Sequence, residues 1–170
     1  MASGSRAARK RLSSRSTARP TLPRKFKIVV AVPPSNDVDV FAHDLGYIAI
    51  ADAAGNVVGW NVTVGGGMGM THGERGYLSA HRCGRHGFCE TTDAVKIAEA
   101  VVTVQRDWGD RKSRKHARLK YTIEDRGLDN FRAEVERRAG VKLARAKAVH
   151  VHVDRRPVRL ERREPTGAGI

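Results

Sequence analysis

Tyr47-Ile48-Ala49-Ile50-Ala51 and Val57-Val58-Gly59-Trp60-Asn61-Val62-Thr63-Val64 are two apolar runs separated by Ala53-Ala54-Gly55-Asn56. That intervening chemistry suits a tight turn, so residues 47–64 read as a β-hairpin. Gly65-Gly66-Gly67 then breaks the second strand. Upstream, Lys25 to Val32 reads as another strand, ended by Pro33-Pro34, which cannot donate to a sheet ladder. Downstream the pattern turns helical. Thr92 is placed to cap a helix from Asp93 to about Asp107, with Val95, Ala98, Val101, Val102 and Gln105 along one side. A basic helical stretch follows from about Ser113 to Leu119. Asp129 is placed to cap a third helix that stops at Gly140, a residue suited to the left-handed C-terminal position. Strands followed by helices predict an α+β class, a mixed or antiparallel sheet packed with helices. No internal repeat is present in the sequence.

The chain has 170 residues, enough for one core domain. It has no apolar run near the length of a membrane span, which argues for a soluble product. The net charge of +14 suggests a nucleic-acid partner until it is divided along the chain. Residues 1–27 carry nine Lys and Arg and no acids, and residues 142–170 carry eight against three. The body between them holds fifteen of each sign, so the whole excess lies in the flanks and a basic binding domain is disfavoured. The division is therefore a basic leader at 1–20, a domain at 21–147 with an atypical stretch at 73–86, and a basic tail at 148–170. The leader is rich in Arg and Ser and lacks acids, as organelle transit peptides do, and it lacks the apolar core of a secretory signal.

Several clusters carry chemistry. In Leu22-Pro23-Arg24-Lys25-Phe26-Lys27, strand alternation points Lys25 and Lys27 to one surface and Phe26 to the other, which makes an anion site. The plainer reading is a basic rim on an ordinary strand. Without Cβ atoms, Gly65, Gly66 and Gly67 let backbone approach a flat ligand or present amides to an anion, whereas a triple glycine by itself is more often a flexible bend. Arg114, Lys115 and Arg118 taken alone read as a solvated basic face. Asn36 and Asp37, after the proline pair, read as turn formers. His43, His72 and His116 have no metal-ligand spacing and read as structural.

Five segments, in order, resemble the sirohaem-containing sulfite and nitrite reductases. They are Leu22 to Lys27, Val64-Gly65-Gly66-Gly67-Met68, Gln105-Arg106-Asp107-Trp108-Gly109, Arg114-Lys115-His116-Ala117-Arg118-Leu119-Lys120-Tyr121 and Glu134-Val135-Glu136-Arg137-Arg138-Ala139-Gly140. The resemblance covers Leu22 to about Arg75 and Gly87 to about Lys147. It implies the sirohaem-binding half of that family's fold, incomplete here. It also implies an oxidoreductase of sulfur assimilation that reduces sulfite to sulfide in a six-electron reaction. The cofactors implied are sirohaem and a 4Fe-4S cluster bridged to it through a Cys thiolate. The electron donor implied is ferredoxin or an NADPH-dependent flavoprotein.

By the same resemblance, Lys25 and Lys27 are the catalytic, substrate-facing pair, offsetting oxyanion charge and delivering protons. Sirohaem carries eight carboxylates, and Arg24 and Arg118 match positions that pair with them, while Gly65, Gly66 and Gly67 form the cofactor-facing loop. For Arg118 alone this replaces the solvated-face reading. Two lysines favour sulfite, because plant-type nitrite reductases place an amide at the second position; a nitrite reductase is the alternative. Cys83 and Cys89 have the spacing of the family's first cluster pair. However, the family's cluster cysteines come after the Arg137 to Gly140 helix and four are needed, so neither is expected to be a ligand and no metal site is expected in this chain. A disulfide between them is also not expected in a reducing compartment.

Arg15 to Pro20, Gly76 to Arg82 and Ala148 to Pro157 depart from the family pattern. Each permits, in another reading frame, a string like the family's own: Pro-Ile-Tyr-Gly-Pro, Asp-Thr-Tyr-Pro-Arg-Ile-Ala and Pro-Phe-Thr-Phe-Thr-Ser-Thr-Gly-Asp. The sequence is therefore expected to be a central fragment of a longer reductase, frame-shifted at these places and inactive alone. It would expose apolar faces meant for a partner half. The expected compartment is bacterial cytoplasm, with plastid as the alternative. A reading of a different class is nonspecific, salt-sensitive nucleic-acid association through the Arg-rich flanks.

Overall fold

A computed structural model of the chain describes residues 21–67 and 85–149. The leader 1–20, His72, Cys83, most of the atypical stretch and the tail from residue 150 lie outside the described residues. A four-stranded sheet runs in the order β1 (Ile28–Ala31), β2 (Leu45–Ala51), β3 (Val57–Val64), β4 (Arg85–Glu90). β1 is parallel to β2, and the other pairs are antiparallel, so the sheet is mixed. Three helices follow: α1 (Ala94–Trp108), α2 (Leu119–Arg126) and α3 (Leu128–Ala139). The α+β class is borne out.

The hairpin forms where the alternation placed it, and Asp52 builds its turn by accepting the Ala54 and Asn56 amides on one carboxylate oxygen, at 2.9 Å each. Leu45, Tyr47, Val62, Val64 and Cys89 face the helices and meet Ile97, Val101 and Val104 of α1 and Phe131 and Val135 of α3. The Tyr47 hydroxyl donates to the Ala94 carbonyl at 2.7 Å, which fixes the start of α1 over the sheet. The opposite face buries Ala31, Val40 and Ile48 under Val38, Phe41 and Val149. There Asn36 forms its expected turn, accepting the Val40 amide at 2.9 Å.

Four expectations are corrected. The first strand starts at Ile28 rather than Lys25, because the Lys27 amide is taken by the Asp44 carboxylate and not by a ladder partner. α1 starts at Ala94, after a 3-10 turn over Thr91–Asp93; Thr92 lies within that turn and does not cap. Its buried stripe is Ile97, Ala100, Val101, Val104 and Gln105, while Val95 is 77% exposed, since the helix is turned so that the Val101 and Val104 pair meets the sheet. Residues 113–118 are not helical. The Asp110 carboxylate accepts the Lys112 and Ser113 amides, a side-chain turn that competes with helix, and α2 begins only at Leu119. Asp129 lies in the first turn of α3, entered through Gly127, where its charge suits the helix N-terminus. Gly140 ends α3 in the left-handed conformation, as expected.

The sequence reading did not find β4, nor the parallel pairing of β1. β1 is an edge strand whose Ile28 and Val30 are each about half exposed, as is Val32, to a greater degree, just beyond its end. Its register with Leu45 and Tyr47 places Ile28 and Val30 on the helix-bearing face, beyond the reach of the helices. This is the exposed apolar surface expected of the sheet.

Candidate functional site

Asp44 immediately precedes β2 and is 1% exposed. A buried carboxylate stays charged only when paired and hydrogen-bonded. Its two oxygens are divided: one accepts the Lys27 amide at 3.0 Å, the other accepts Arg118 Nη2 at 3.0 Å. Its main-chain carbonyl accepts the Gly65 amide at 2.9 Å, and two residues on the Gly67 amide donates to the Ala42 carbonyl at 2.9 Å. One short segment before β2 therefore holds the end of the lysine-bearing segment that leads into β1, the glycine run after β3, and the residue that leads into α2.

The glycines at this corner are required. A Cβ on Gly66 would lie 2.3 Å from the His43 carbonyl oxygen, and φ is +65° there. Gly67 has φ +95°, and the space where its Cβ would stand is 3.5 Å from Arg118 Nη1 and 3.6 Å from Lys120 Nζ. Two cations thus converge on the place of the missing Gly67 Cβ, where the Lys120 stem already packs at 3.2 Å and the glycine itself is buried. Lys120, whose ammonium also sits 4.6 Å from the Tyr121 ring centroid, was not singled out from sequence. Nothing in its helical spacing signals the role, because residues two apart on a helix do not share a face, and the fold alone brings Lys120 and Arg118 to Gly67.

Of the residues read as a site, the structure brings together Lys27, Gly65, Gly66, Gly67 and Arg118. It does not join Arg24 or Lys25 to the Asp44 contacts. Arg24 is half-buried on the segment that passes the C-terminal end of α1, where the Thr21 carbonyl accepts from Arg111. Lys25 is exposed, as is the Lys27 side chain, while Phe26 packs on the core. Arg114 and Lys115 are solvent-exposed, in keeping with the solvated-face reading.

The chemistry of this corner fits the edge of a polycarboxylate macrocycle. Arg118 Nε is buried and has no hydrogen-bond partner among the described residues, although its Nη2 is taken. A guanidinium donor without a partner among the described residues, next to a second cation, is what a ligand carboxylate would complete. The residues present do not fit a 4Fe-4S cluster. The sequence contains two cysteines where four thiolates are needed. Cys89 is 3% exposed in the core, and burial, then the charge of Asp93, pushes its thiol up to about 11, against the thiolate form a metal takes.

A second polar cluster lies elsewhere. On α3, Glu136 accepts Arg132 Nε at 2.9 Å, the Leu143 amide at 3.0 Å and Lys142 Nζ at 2.9 Å. Arg132 Nη2 continues to the Leu143 carbonyl. Although burial opposes it, this donor set holds the Glu136 carboxyl well below its ordinary value, at about 2. Arg138 joins Glu134 of its own helix to Asp107 at the end of α1, both contacts 2.7 Å. His116 stacks on Tyr121 and lies 3.2 Å from the Asp125 carboxylate. His43 contacts the Val38 carbonyl at 3.0 Å.

Comparison with known proteins places these features in a family. The family described as the nitrite and sulphite reductase 4Fe-4S domain matches residues 5–143. The sulfite reductase (NADPH) hemoprotein beta-component of Methylobacterium nodulans is 70% identical over 122 residues, which is 72% of this chain and 20% of that protein. Its counterpart from Shewanella denitrificans is 61% identical over 123 residues, 72% of this chain and 22% of that protein. The chain thus spans about a fifth of the length of the curated relatives it matches. Among solved structures, the Mycobacterium tuberculosis NirA protein superposes with a TM-score of 0.58 at 28% identity, covering 76% of this chain and 22% of that one.

Proposed function

The chain belongs to the nitrite and sulphite reductase 4Fe-4S domain family, whose relatives are named as sulfite reductases, and from that membership we propose that it carries the cation-lined edge of a sirohaem site and the substrate-facing lysines of a sulfite reductase hemoprotein. The observation that carries this reading is the Asp44 corner: a half-buried arginine whose buried Nε has no partner among the described residues, beside a second cation, over a glycine at positive φ. Bound there, sirohaem would supply the redox-active iron at which the oxyanion is reduced. The chain's own residues would do the rest. Arg118 and Lys120 would hold a rim carboxylate, and Gly66 and Gly67 would let backbone come close to the ring. Lys25 and Lys27 would offset the charge of sulfite and donate hydrogen bonds as oxygen leaves. Arg24 would take a second rim carboxylate through its planar fork. The electron donor proposed is a flavoprotein, drawing on the NADPH that the relatives' names print, and the compartment proposed is the cytoplasm.

The test is a chimera in which residues 22–147 replace the matching segment of the Methylobacterium nodulans protein. The chimera is expected to bind sirohaem and to oxidise reduced methyl viologen faster with sulfite than with nitrite. Lys25→Met and Lys27→Met should each lower kcat by about a hundredfold with the haem absorbance retained. Undiminished turnover in both variants would overturn the assignment of the lysines. The chain by itself is proposed to be inactive, and sulfite-dependent viologen oxidation by the purified 170-residue protein would contradict that.

A further inference from the structure

We propose that Asp44 is a positioning residue: a buried carboxylate that aims Arg118 at the ligand and, through its second oxygen, holds the lysine-bearing segment before β1 beside it. This rests on the reading of the corner as the edge of a polycarboxylate site. Asp44 touches neither ligand nor substrate in that account. It acts through two segments far apart in sequence, one oxygen on the Lys27 amide and one on Arg118 Nη2.

A guanidinium is a rigid plane, so holding one terminal nitrogen sets the direction of the other two. With Nη2 on Asp44, Nη1 faces the space above Gly67, and Nε is left buried with no partner among the described residues. Around Glu136 the Arg132 fork is shared, Nε on the carboxylate and Nη2 on the Leu143 carbonyl, whereas around Asp44 no such second acceptor among the described residues takes Arg118 Nε. The Asp44 main-chain carbonyl meanwhile takes the Gly65 amide, so the same residue also sets where the glycine run begins. Pre-orientation has an opposing cost, because a negative charge beside an anion site repels the ligand. The two effects carry opposite signs, which makes the inference testable.

The probe is uroporphyrin, a fluorescent macrocycle with eight carboxylates, titrated into the full chain and into Asp44→Asn, Arg118→Ala and the double variant. Asp44→Asn keeps an oxygen for the Lys27 amide but removes the charge that grips Arg118. It is expected to weaken binding by about tenfold, and to add less than about twofold in the Arg118→Ala background, since an aimed group that is absent cannot be misaimed. A merely structural role predicts equal losses in both backgrounds and is thereby excluded or established. Where circular dichroism shows Asp44→Asn unfolded, Arg118→Lys asks the same question: it keeps the charge opposite Asp44 and loses the fork, and a comparable loss is expected. Wild-type affinity in the folded variant, or tighter binding in Asp44→Asn, overturns the inference alone. A wild-type chain that binds no uroporphyrin overturns both the inference and the reading of the site beneath it.

Discussion

Asp44 and Glu136 are both nearly buried carboxylates, each accepting one main-chain amide and one arginine, and they differ in what is left over. At Glu136, Arg132 uses Nε on the carboxylate and Nη2 on the Leu143 carbonyl, and Lys142 adds an exposed ammonium. The network closes on itself and anchors the chain that follows α3. At Asp44, Arg118 spends one nitrogen, keeps Nε buried without a partner among the described residues, and turns Nη1 toward Gly67 beside Lys120. Similar residues therefore do different things. A satisfied network stabilises a segment, and one with a buried donor to spare marks a place for a ligand.

The largest expected effect tests the site's scaffold. Gly66→Ala forces a Cβ to within 2.3 Å of a carbonyl oxygen at positive φ, where little can give. A loss of about 3 kcal/mol or more is expected, seen as a lower denaturant midpoint; an unchanged midpoint would show that the corner is looser than described. Next comes the structural side of the comparison. Glu136→Ala strands the Leu143 amide and Arg132, and should cost about 2 kcal/mol, while uroporphyrin affinity stays as in wild type. A loss of affinity there would erase the distinction between the two carboxylates.

Gly67→Ala sharpens the other side. Its Cβ would stand 3.2 Å from Lys120 Cδ at φ +95°, so it should cost about 1 kcal/mol of stability and fill the space offered to the ligand. Binding is expected to fall by about tenfold, a disproportion visible by comparing titrations with melting curves. Acid tests the closed carboxylate networks of α1 and α3. Arg132 and Lys142 hold Glu136 low, Arg137 and Arg138 hold Glu134 low, and Arg106 and Arg138 hold Asp107 low, each at about 2. In the unfolded chain these groups take up protons near 4, so their contribution is complete above about pH 5. It is lost as pH falls toward 2, and the melting temperature should drop steadily over that window. The smallest effect is Lys142→Ala: this ammonium is 88% exposed, and a change within about 0.5 kcal/mol is expected.

The hairpin, the end of α3 at Gly140 and the α+β class were legible because strand alternation, turn chemistry and helix-stop chemistry are local. β4 was not, since Arg85-His86-Gly87-Phe88-Cys89-Glu90 has no clean alternation and is a strand only because β3 offers it an edge. Arg118 and the glycines were found through motif resemblance, and the geometry then explains why they belong together. Asp44 was invisible for the opposite reason. An Asp before an apolar strand reads as a loop residue, and only the fold, bringing Lys27 and Arg118 to its two oxygens, turns it into a hub. Lys120 was passed over in the same way, inside a motif where Arg118 held attention.

The central claim is that Arg118, unlike Arg132, has a donor reserved for an anionic ligand. The most direct measurement is a uroporphyrin titration of Arg118→Ala beside Arg132→Ala, each with its melting curve. The account predicts at least a tenfold loss of affinity for Arg118→Ala, and wild-type affinity for Arg132→Ala despite a lower melting temperature. Equal affinities in the two variants would contradict it.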